Sequence, residues 1–321
     1  MNGVLIIDKP AGLTSHDVVN RVRRIIGQRS VGHLGTLDPM ATGVLPLVFG
    51  NLTRLAQFYT SSDKSYEGTI RFGFATDTYD AEGDPLGPHQ PVTALLEQVR
   101  EAAKRFHGTI DQTPPPFSAK KIHGVPAYKL ARKKKEISLP AVQVEIHDFE
   151  ITSYENERAE FCARVASGTY MRSVAHDLGS TLGCGAHLES LRRTRVAEFS
   201  IADAHTLEQV EVAWAAGKGD DICVHPRTLM PDMPSVTATD EIAAHIRSGR
   251  AVNLPEFSRA KQVKVFYGQA DLIAIATRVA GTLFHPKIVL AMEAAVPAAG
   301  CPAPEGASHR GRRDGAAEAA P

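Results

Sequence analysis

The sequence predicts an α+β protein, because segments with the patterns of short strands are interspersed with segments of helical periodicity. The chain has 321 residues, which is long for one domain and favours two. A change of composition at residues 231–234, which read Pro-Asp-Met-Pro, predicts a linker. We therefore expect a large domain over residues 1–230 and a small mixed domain over residues 235–292.

The last segment of the chain differs in composition from both domains. From Ala294 onward, Ala, Pro and Gly supply 18 of 28 residues. Such a segment has too little apolar bulk to form a core. We expect residues 294–321 to be a disordered tail.

Short sequence signals predict where the helices, strands and loops begin and end along the chain. Residues 4–7 are an apolar run that predicts a strand, and Pro and Gly behind it predict a turn. Thr14 and Ser15 can cap a helix, and Gly27 can end it. Similar signals predict a glycine-rich loop at 32–43, strands at 44–49, 66–74 and 161–165, an acidic surface loop at 77–88, and a helix at Met171–Leu182. In the small domain they predict a helix at Asp240–Arg247 and strands at 263–267 and 272–276.

Charge and cysteine usage narrow the class of protein only in part. Lys plus Arg (36) balance Asp plus Glu (36), so the net charge indicates nothing about a polyanionic partner. The four cysteines lack the spacing of a metal site, and no apolar run is long enough to span a bilayer. The first residues do not read as a secretory signal. These features predict a cytoplasmic protein that binds no membrane.

The strongest chemical signal is the loop Gly32-His33-Leu34-Gly35-Thr36-Leu37-Asp38-Pro39-Met40-Ala41-Thr42-Gly43. Its glycines permit unusual backbone angles and the close approach of a ligand. Pro39 favours an extended conformation at Asp38, which would project the carboxylate instead of folding it into a helix. A lone Asp-Pro in such a loop is more often a structural turn, so these residues by themselves do not identify a site.

This loop resembles the signature of the TruB family, the tRNA pseudouridine-55 synthases. Further segments resemble the family in the same order along the chain: residues 5–10, 63–66, 167–173, and 182–188 with 191–194. Met171 stands where the family pattern has Ile or Val. The resemblance runs from residue 1 to about residue 230. It implies a pseudouridine-synthase fold, with a mixed, largely antiparallel sheet, flanking helices and a small PUA-like, RNA-binding C-terminal domain.

The resemblance also implies the reaction, which is the isomerisation of uridine-55 in the T-arm loop of tRNA to pseudouridine after the base is flipped out. Asp38 corresponds to the nucleophile of the family. A carboxylate can form a transient covalent bond and so divide a difficult exchange into easier steps. The reaction involves no redox change and no group donor, so we expect no cofactor and no metal. Whether Asp38 attacks the sugar or the base stays open.

The substrate-binding residues are likewise implied by the resemblance. Arg172 corresponds to the basic partner of Asp38, and Tyr66 and Tyr170 correspond to aromatic pocket residues. Tyr66 also resembles the residue that accepts or relays a proton from the base. Leu191 corresponds to an apolar wall, and His33 corresponds to a histidine that fills the space left by extruded bases.

Basic segments predict where RNA binds. Residues 120–135 contain seven basic residues and no acidic one, within an RNA-gripping loop at about 112–140. Arg192, Arg193 and Arg195 add cations, which we expect to contact phosphates. The expected partner is the T-arm stem-loop of tRNA, without a guide RNA or an obligatory protein. The alternative is a non-catalytic tRNA-binding chaperone that uses the same face, and Asp38→Asn distinguishes the two.

Overall fold

The computed structural model describes residues 1–118, 121–122, 125–126 and 139–290. The predicted tail at 294–321, and the greater part of the predicted basic segment at 120–135, lie outside these residues. Within the described ranges the longest helices have 12 residues, too few to span a bilayer.

A nine-stranded sheet forms the larger part of the described chain. Its strands are β1 (Gly3–Lys9), β2 (Val31–His33), β3 (Thr42–Phe49), β4 (Lys64–Phe72), β5 (Gly108–Gln112), β8 (Val142–Glu155), β9 (Arg158–Val165), β10 (Ala186–Val196) and β11 (Phe199–Ser200). Two further strands, β6 (Lys121–Ile122) and β7 (Val125–Pro126), pair only with each other. The central order is β1-β3-β10-β4-β9-β8-β5, with β2 on β3 and β11 on β10. Within this nine-stranded sheet the described strands pair antiparallel, except for β3 with β10, which run parallel.

Six α-helices flank the sheets in the described ranges: α1 (Ser15–Ile26), α2 (Ala56–Tyr59), α3 (Leu96–Ala103), α4 (Met171–Leu182), α5 (Leu207–Ala215) and α6 (Asp240–Arg247). The predicted bounds of α1 are confirmed, because Thr14 and Asp17 form a reciprocal capping box and Gly27 ends the helix with φ +63°. The helix α4 ends in the same way, at Gly183 with φ +76°.

The second sheet contains β12 (Ser235–Ala238), β13 (Val252–Asn253), β14 (Gln262–Tyr267), β15 (Asp271–Ala280) and β16 (Leu283–Val289), in the order β12-β14-β15-β16-β13. One apolar cluster packs α1, α4 and α5 against the large sheet. Another contains Ile6 and Phe199 of the large sheet together with Phe266 and Ile275 of the second. The α+β class and the largely antiparallel sheet are confirmed.

Two of the predicted loops differ from the structure. The glycine-rich segment at 32–43 begins inside β2, where Gly32 and His33 pair with β3. The segment at 77–88 is not merely a surface loop, because Asp80 within it is buried. Charged residues are rarely buried unless they are paired, and the order of charges along the sequence does not show which residue pairs with Asp80 in the fold.

Candidate active site

A cavity of about 290 Å³ opens between the loop at 34–41, strands β4 and β10, and the first turn of α4. We call residues 34–41 the Asp38 loop. The cavity is lined by Thr36, Leu37, Asp38, Lys64, Tyr66, Phe117, Ser118, Gly168, Thr169, Tyr170, Met171, Arg172 and Leu191. Five of the six side chains that the sequence singled out therefore surround one space, although they come from distant parts of the chain.

Arg172 connects two carboxylates at the wall of this cavity. Its Nε lies 3.0 Å from Asp38 Oδ2, and its Nη1 lies 3.2 Å from Asp80 Oδ2. Arg172 and Asp80 are only 6% and 3% exposed, whereas 38% of the Asp38 side chain is exposed. The guanidinium also donates hydrogen bonds to the carbonyl oxygens of Thr78 and Phe117. The fork of Arg172 is thus held in place, and part of the Asp38 side chain stays open to the cavity.

The protonation of Asp38 depends on this arrangement. Burial raises the pKa of the Asp38 carboxyl, and the Arg172 guanidinium is the strongest influence that lowers it. Asp80 is a second carboxylate and acts in the raising direction. Arg172 therefore provides the main stabilisation of the ionised form of Asp38.

Partly buried hydrogen bonds fix the turn that presents Tyr170 and Arg172. The Tyr170 backbone N–H donates to Gln112 Oε1 at 2.8 Å, and Gln112 Nε2 donates to the Tyr170 carbonyl at 3.1 Å. The Ser173 hydroxyl donates to the carbonyl of Thr113. Burial raises the pKa of the Tyr170 phenol, so the phenol remains protonated at neutral pH.

A buried lysine holds the Asp38 loop through hydrogen bonds to the backbone. Lys9 is fully buried, and its Nζ donates to the carbonyl oxygens of Pro10, Leu13 and Pro39 at 2.6–3.1 Å. Burial lowers the pKa of Lys9 to about 8, while nearby Asp38 acts in the opposite direction. The hydroxyl of Ser15 donates to the Leu37 carbonyl and accepts from the Leu37 N–H. The backbone on both sides of Asp38 is therefore fixed.

Comparison with known proteins shows the family of this chain. Residues 23–171 match the family model described as TruB family pseudouridylate synthase (N terminal domain), and residues 172–231 match tRNA pseudouridylate synthase B C-terminal domain. A relative from Solibacter usitatus (strain Ellin6076), named tRNA pseudouridine synthase B, is 47% identical over 293 residues, which are 90% of this chain and all of the relative. A relative of the same name from Aquifex aeolicus (strain VF5) is 37% identical, with the same coverage of both chains.

The chain belongs to the TruB family of pseudouridylate synthases. Solved structures agree on the fold. One is an H/ACA RNP bound to a substrate RNA containing 2′-deoxyuridine, with a TM-score of 0.66, 22% identity and coverage of 90% of this chain and 85% of that chain. Another is the archaeal box H/ACA sRNP Nop10–Cbf5 complex, with a TM-score of 0.65, 24% identity and coverage of 90% and 86%. The pseudouridine-synthase fold expected from the sequence is thereby confirmed.

His33 is the sequence-predicted residue of this TruB protein that does not line the cavity. It lies on β2, where it pairs with Leu47 of β3. Its Nδ1 is buried and has no hydrogen-bond partner among the described residues. Burial, together with the nearby Arg193 cation, lowers the pKa of the imidazole. A role of His33 at extruded bases stays a prediction.

Two of the three arginines expected to contact phosphates in this TruB protein have other partners. Arg192 makes a two-pronged ion pair with Asp8, at 2.8 and 3.0 Å. Arg193 is 0% exposed and donates to backbone carbonyls of the Asp38 loop. Arg195 is exposed. The expectation is therefore wrong for Arg193, because a buried guanidinium cannot reach a phosphate on the surface.

Sequence reasoning did not identify four residues that position the site: Lys9, Asp80, Gln112 and Arg193. Lys9 and Arg193 lie inside segments that resemble the family, but nothing in their spacing indicates burial. Asp80 is one of several acidic residues in its loop. The described residues contain no group of three or more His, Cys, Asp or Glu side chains placed to hold a metal ion.

Proposed function

We propose that this protein isomerises uridine-55 in the T-arm loop of tRNA to pseudouridine, with Asp38 as the nucleophile. The observation that carries the proposal is the Asp38 carboxylate, paired with buried Arg172 and still open to a cavity that Tyr66, Tyr170 and Leu191 line. The names of the relatives, tRNA pseudouridine synthase B, support tRNA as the substrate.

The reaction breaks the N1–C1′ bond of uridine and forms a C5–C1′ bond, while C5 loses a proton and N1 gains one. Such an exchange needs a nucleophile, a proton acceptor and a way to hold the detached base. Asp38 supplies the nucleophile, attacking either the sugar or the base, and Arg172 keeps it ionised. The Tyr66 phenol accepts or relays the proton. Aromatic and apolar walls favour a base that has left its stack.

Several wider expectations belong to the same proposal. The large sheet with its helices, up to about residue 230, is the catalytic domain, and β12–β16 are a small RNA-binding domain. The enzyme works in the cytoplasm, without a cofactor, a guide RNA or an obligatory protein partner. Exposed Arg195 and the basic segment at 120–135 contribute contacts to phosphates.

The test is nucleotide-resolution mapping of pseudouridine in an unmodified tRNA transcript after incubation with purified protein alone. Asp38→Asn preserves the shape of the side chain but removes its charge, so we expect the rate to fall on the order of 10⁴-fold or more. Binding of tRNA should change less than about threefold, because most contacts go to the RNA backbone.

Asp111→Asn is the matched control, because this aspartate is exposed on the edge strand β5. It should modify tRNA as the wild type does. Turnover by Asp38→Asn would contradict the mechanism, and product at another nucleotide would contradict the substrate assignment. If the wild type bound tRNA without forming product, the non-catalytic chaperone would be the better description.

A further inference from the structure

Arg193 occupies a central position between the elements that build the cavity. Strand β10 pairs antiparallel with β4, so Arg193 lies directly opposite Tyr66. Side chains at opposed positions of antiparallel strands lie on one face, with Cβ atoms about 5 Å apart. On its other edge β10 pairs with β3, where Arg193 lies opposite Gly43. The arginine thus stands between the strand that bears Tyr66 and the strand that follows the Asp38 loop.

The guanidinium of Arg193 uses all three nitrogen atoms within this space. Nη2 donates to the Gly35 carbonyl at 3.0 Å, Nη1 donates to the Thr36 carbonyl at 3.1 Å, and Nε donates to the Val44 carbonyl at 2.8 Å. The Tyr66 phenol lies beside the same guanidinium. One rigid group therefore contacts the backbone two and three residues before Asp38 and lies beside the phenol that lines the cavity.

A fully buried guanidinium lowers the stability of the fold unless its interactions offset the loss of water. Arg193 is fully buried, and its hydrogen bonds go to neutral carbonyl oxygens of the backbone. Taking a cation out of water is strongly unfavourable, and proteins depart from such local rules chiefly at functional or strained sites. Arginine stays charged when buried, and its planar fork fixes several acceptors at once. A lysine offers a compact charge on a flexible stem and cannot reproduce this geometry.

We propose that Arg193 is a positioning residue of the reaction, which holds the Asp38 loop and the Tyr66 phenol in a single fixed geometry. The inference rests on the proposed function, because it assigns Arg193 to the same cavity. Arg193 does not touch the substrate, since its side chain lies beneath the cavity wall. It acts by keeping the Asp38 carboxylate and the Tyr66 phenol at a fixed distance from each other.

The experiment measures the single-turnover rate of pseudouridine formation for the wild type, Arg193→Met, Arg193→Lys, Tyr66→Phe and the double variant Arg193→Met/Tyr66→Phe. Affinity for tRNA and thermal unfolding are measured on each protein. Misplacing reacting groups by about 1 Å can cost roughly 100-fold in rate, so we expect a loss of this size in Arg193→Met. Its tRNA affinity should stay within about threefold of the wild type, because phosphate contacts elsewhere supply the binding. Arg193→Lys should lose part of the rate, because it retains the charge without the fork.

The double variant separates positioning from a merely structural role. If Arg193 acts through Tyr66, its loss should cost much less once the phenol is absent, so the two effects will not multiply. Arg158→Met is the control, because Arg158 pairs with Glu189 and does not line the cavity. It should retain the rate of the wild type.

Three results would overturn the proposal: a rate of Arg193→Met close to that of the wild type, losses that multiply fully in the double variant, or failure of both Arg193 variants to unfold cooperatively. The last result would make Arg193 a folding residue. Absence of product with the wild-type protein would instead refute the proposed function itself, and with it the role of Arg193 in that reaction.

Discussion

Replacing Arg172 by Gln removes the cation between two carboxylates and so tests whether Arg172 keeps Asp38 ionised. In the structure the guanidinium lies 3.0 Å from Asp38 and 3.2 Å from Asp80, measured between nitrogen and oxygen atoms. Burial already raises the pKa of Asp38, and Arg172 is the strongest opposing influence. Without it the pKa of Asp38 rises further, so the acid form persists to higher pH.

The size of the effect follows from Coulomb's law. Unit charges about 4 Å apart, a fair separation of the charge centres, attract by about 4 kcal/mol at an effective dielectric constant of 20. Because 38% of the Asp38 side chain is exposed, solvent screening reduces this to about 2 kcal/mol. A free energy of that size changes the ratio of ionised to protonated carboxyl roughly 30-fold.

The assay is the single-turnover rate of pseudouridine formation between pH 5 and pH 9. In the wild type the rate should rise with pH as Asp38 loses its proton, and in Arg172→Gln that rise should move to higher pH. Arg172→Lys retains a cation and should keep the rise nearer to that of the wild type, even if it is slower overall. Arg158→Gln is the control, since Arg158 pairs with Glu189 and does not line the cavity. An unchanged acid limb in Arg172→Gln would refute the electrostatic argument.

The sequence predicted the local features of the fold best. The cap at Thr14 and the stops at Gly27 and Gly183 depend on a few neighbouring residues, so a single sequence contains the information. The predicted strand at 66–74 instead runs over Lys64–Phe72, and the 14-residue β8 was not predicted. Strand ends depend on pairing with distant segments, which a local pattern does not encode.

The candidate site also combines features that the sequence predicted with features that depend on the folded sheet. The family resemblance identified Asp38, Tyr66, Tyr170, Arg172 and Leu191, which all line the cavity, although their catalytic roles stay predictions. It did not separate the exposed arginine from those that support the fold. Arg193 and Arg195 are two positions apart, yet one is fully buried and the other is exposed. A bulge between these positions and the pairing with two other strands decide that difference, and both are properties of the folded sheet.

Two further predictions concern stability, measured by urea unfolding. Gly43 has φ +96°, and an added Cβ would collide with the Arg193 carbonyl, so Gly43→Ala should cost about 2–4 kcal/mol. Gly27→Ala, with φ +63° and open space around it, should cost only about 1 kcal/mol, and equal losses would contradict the steric argument. Burial raises the pKa of Asp177 from 3.8 to about 6. The folded protein therefore disfavours the ionised carboxylate, and this group reduces stability as the pH rises from about 4 to about 7. Asp177→Asn should add about 1 kcal/mol at pH 8, after a discount for partial exposure, and almost nothing at pH 4. A gain of the same size at both pH values would show that packing, and not charge, is responsible.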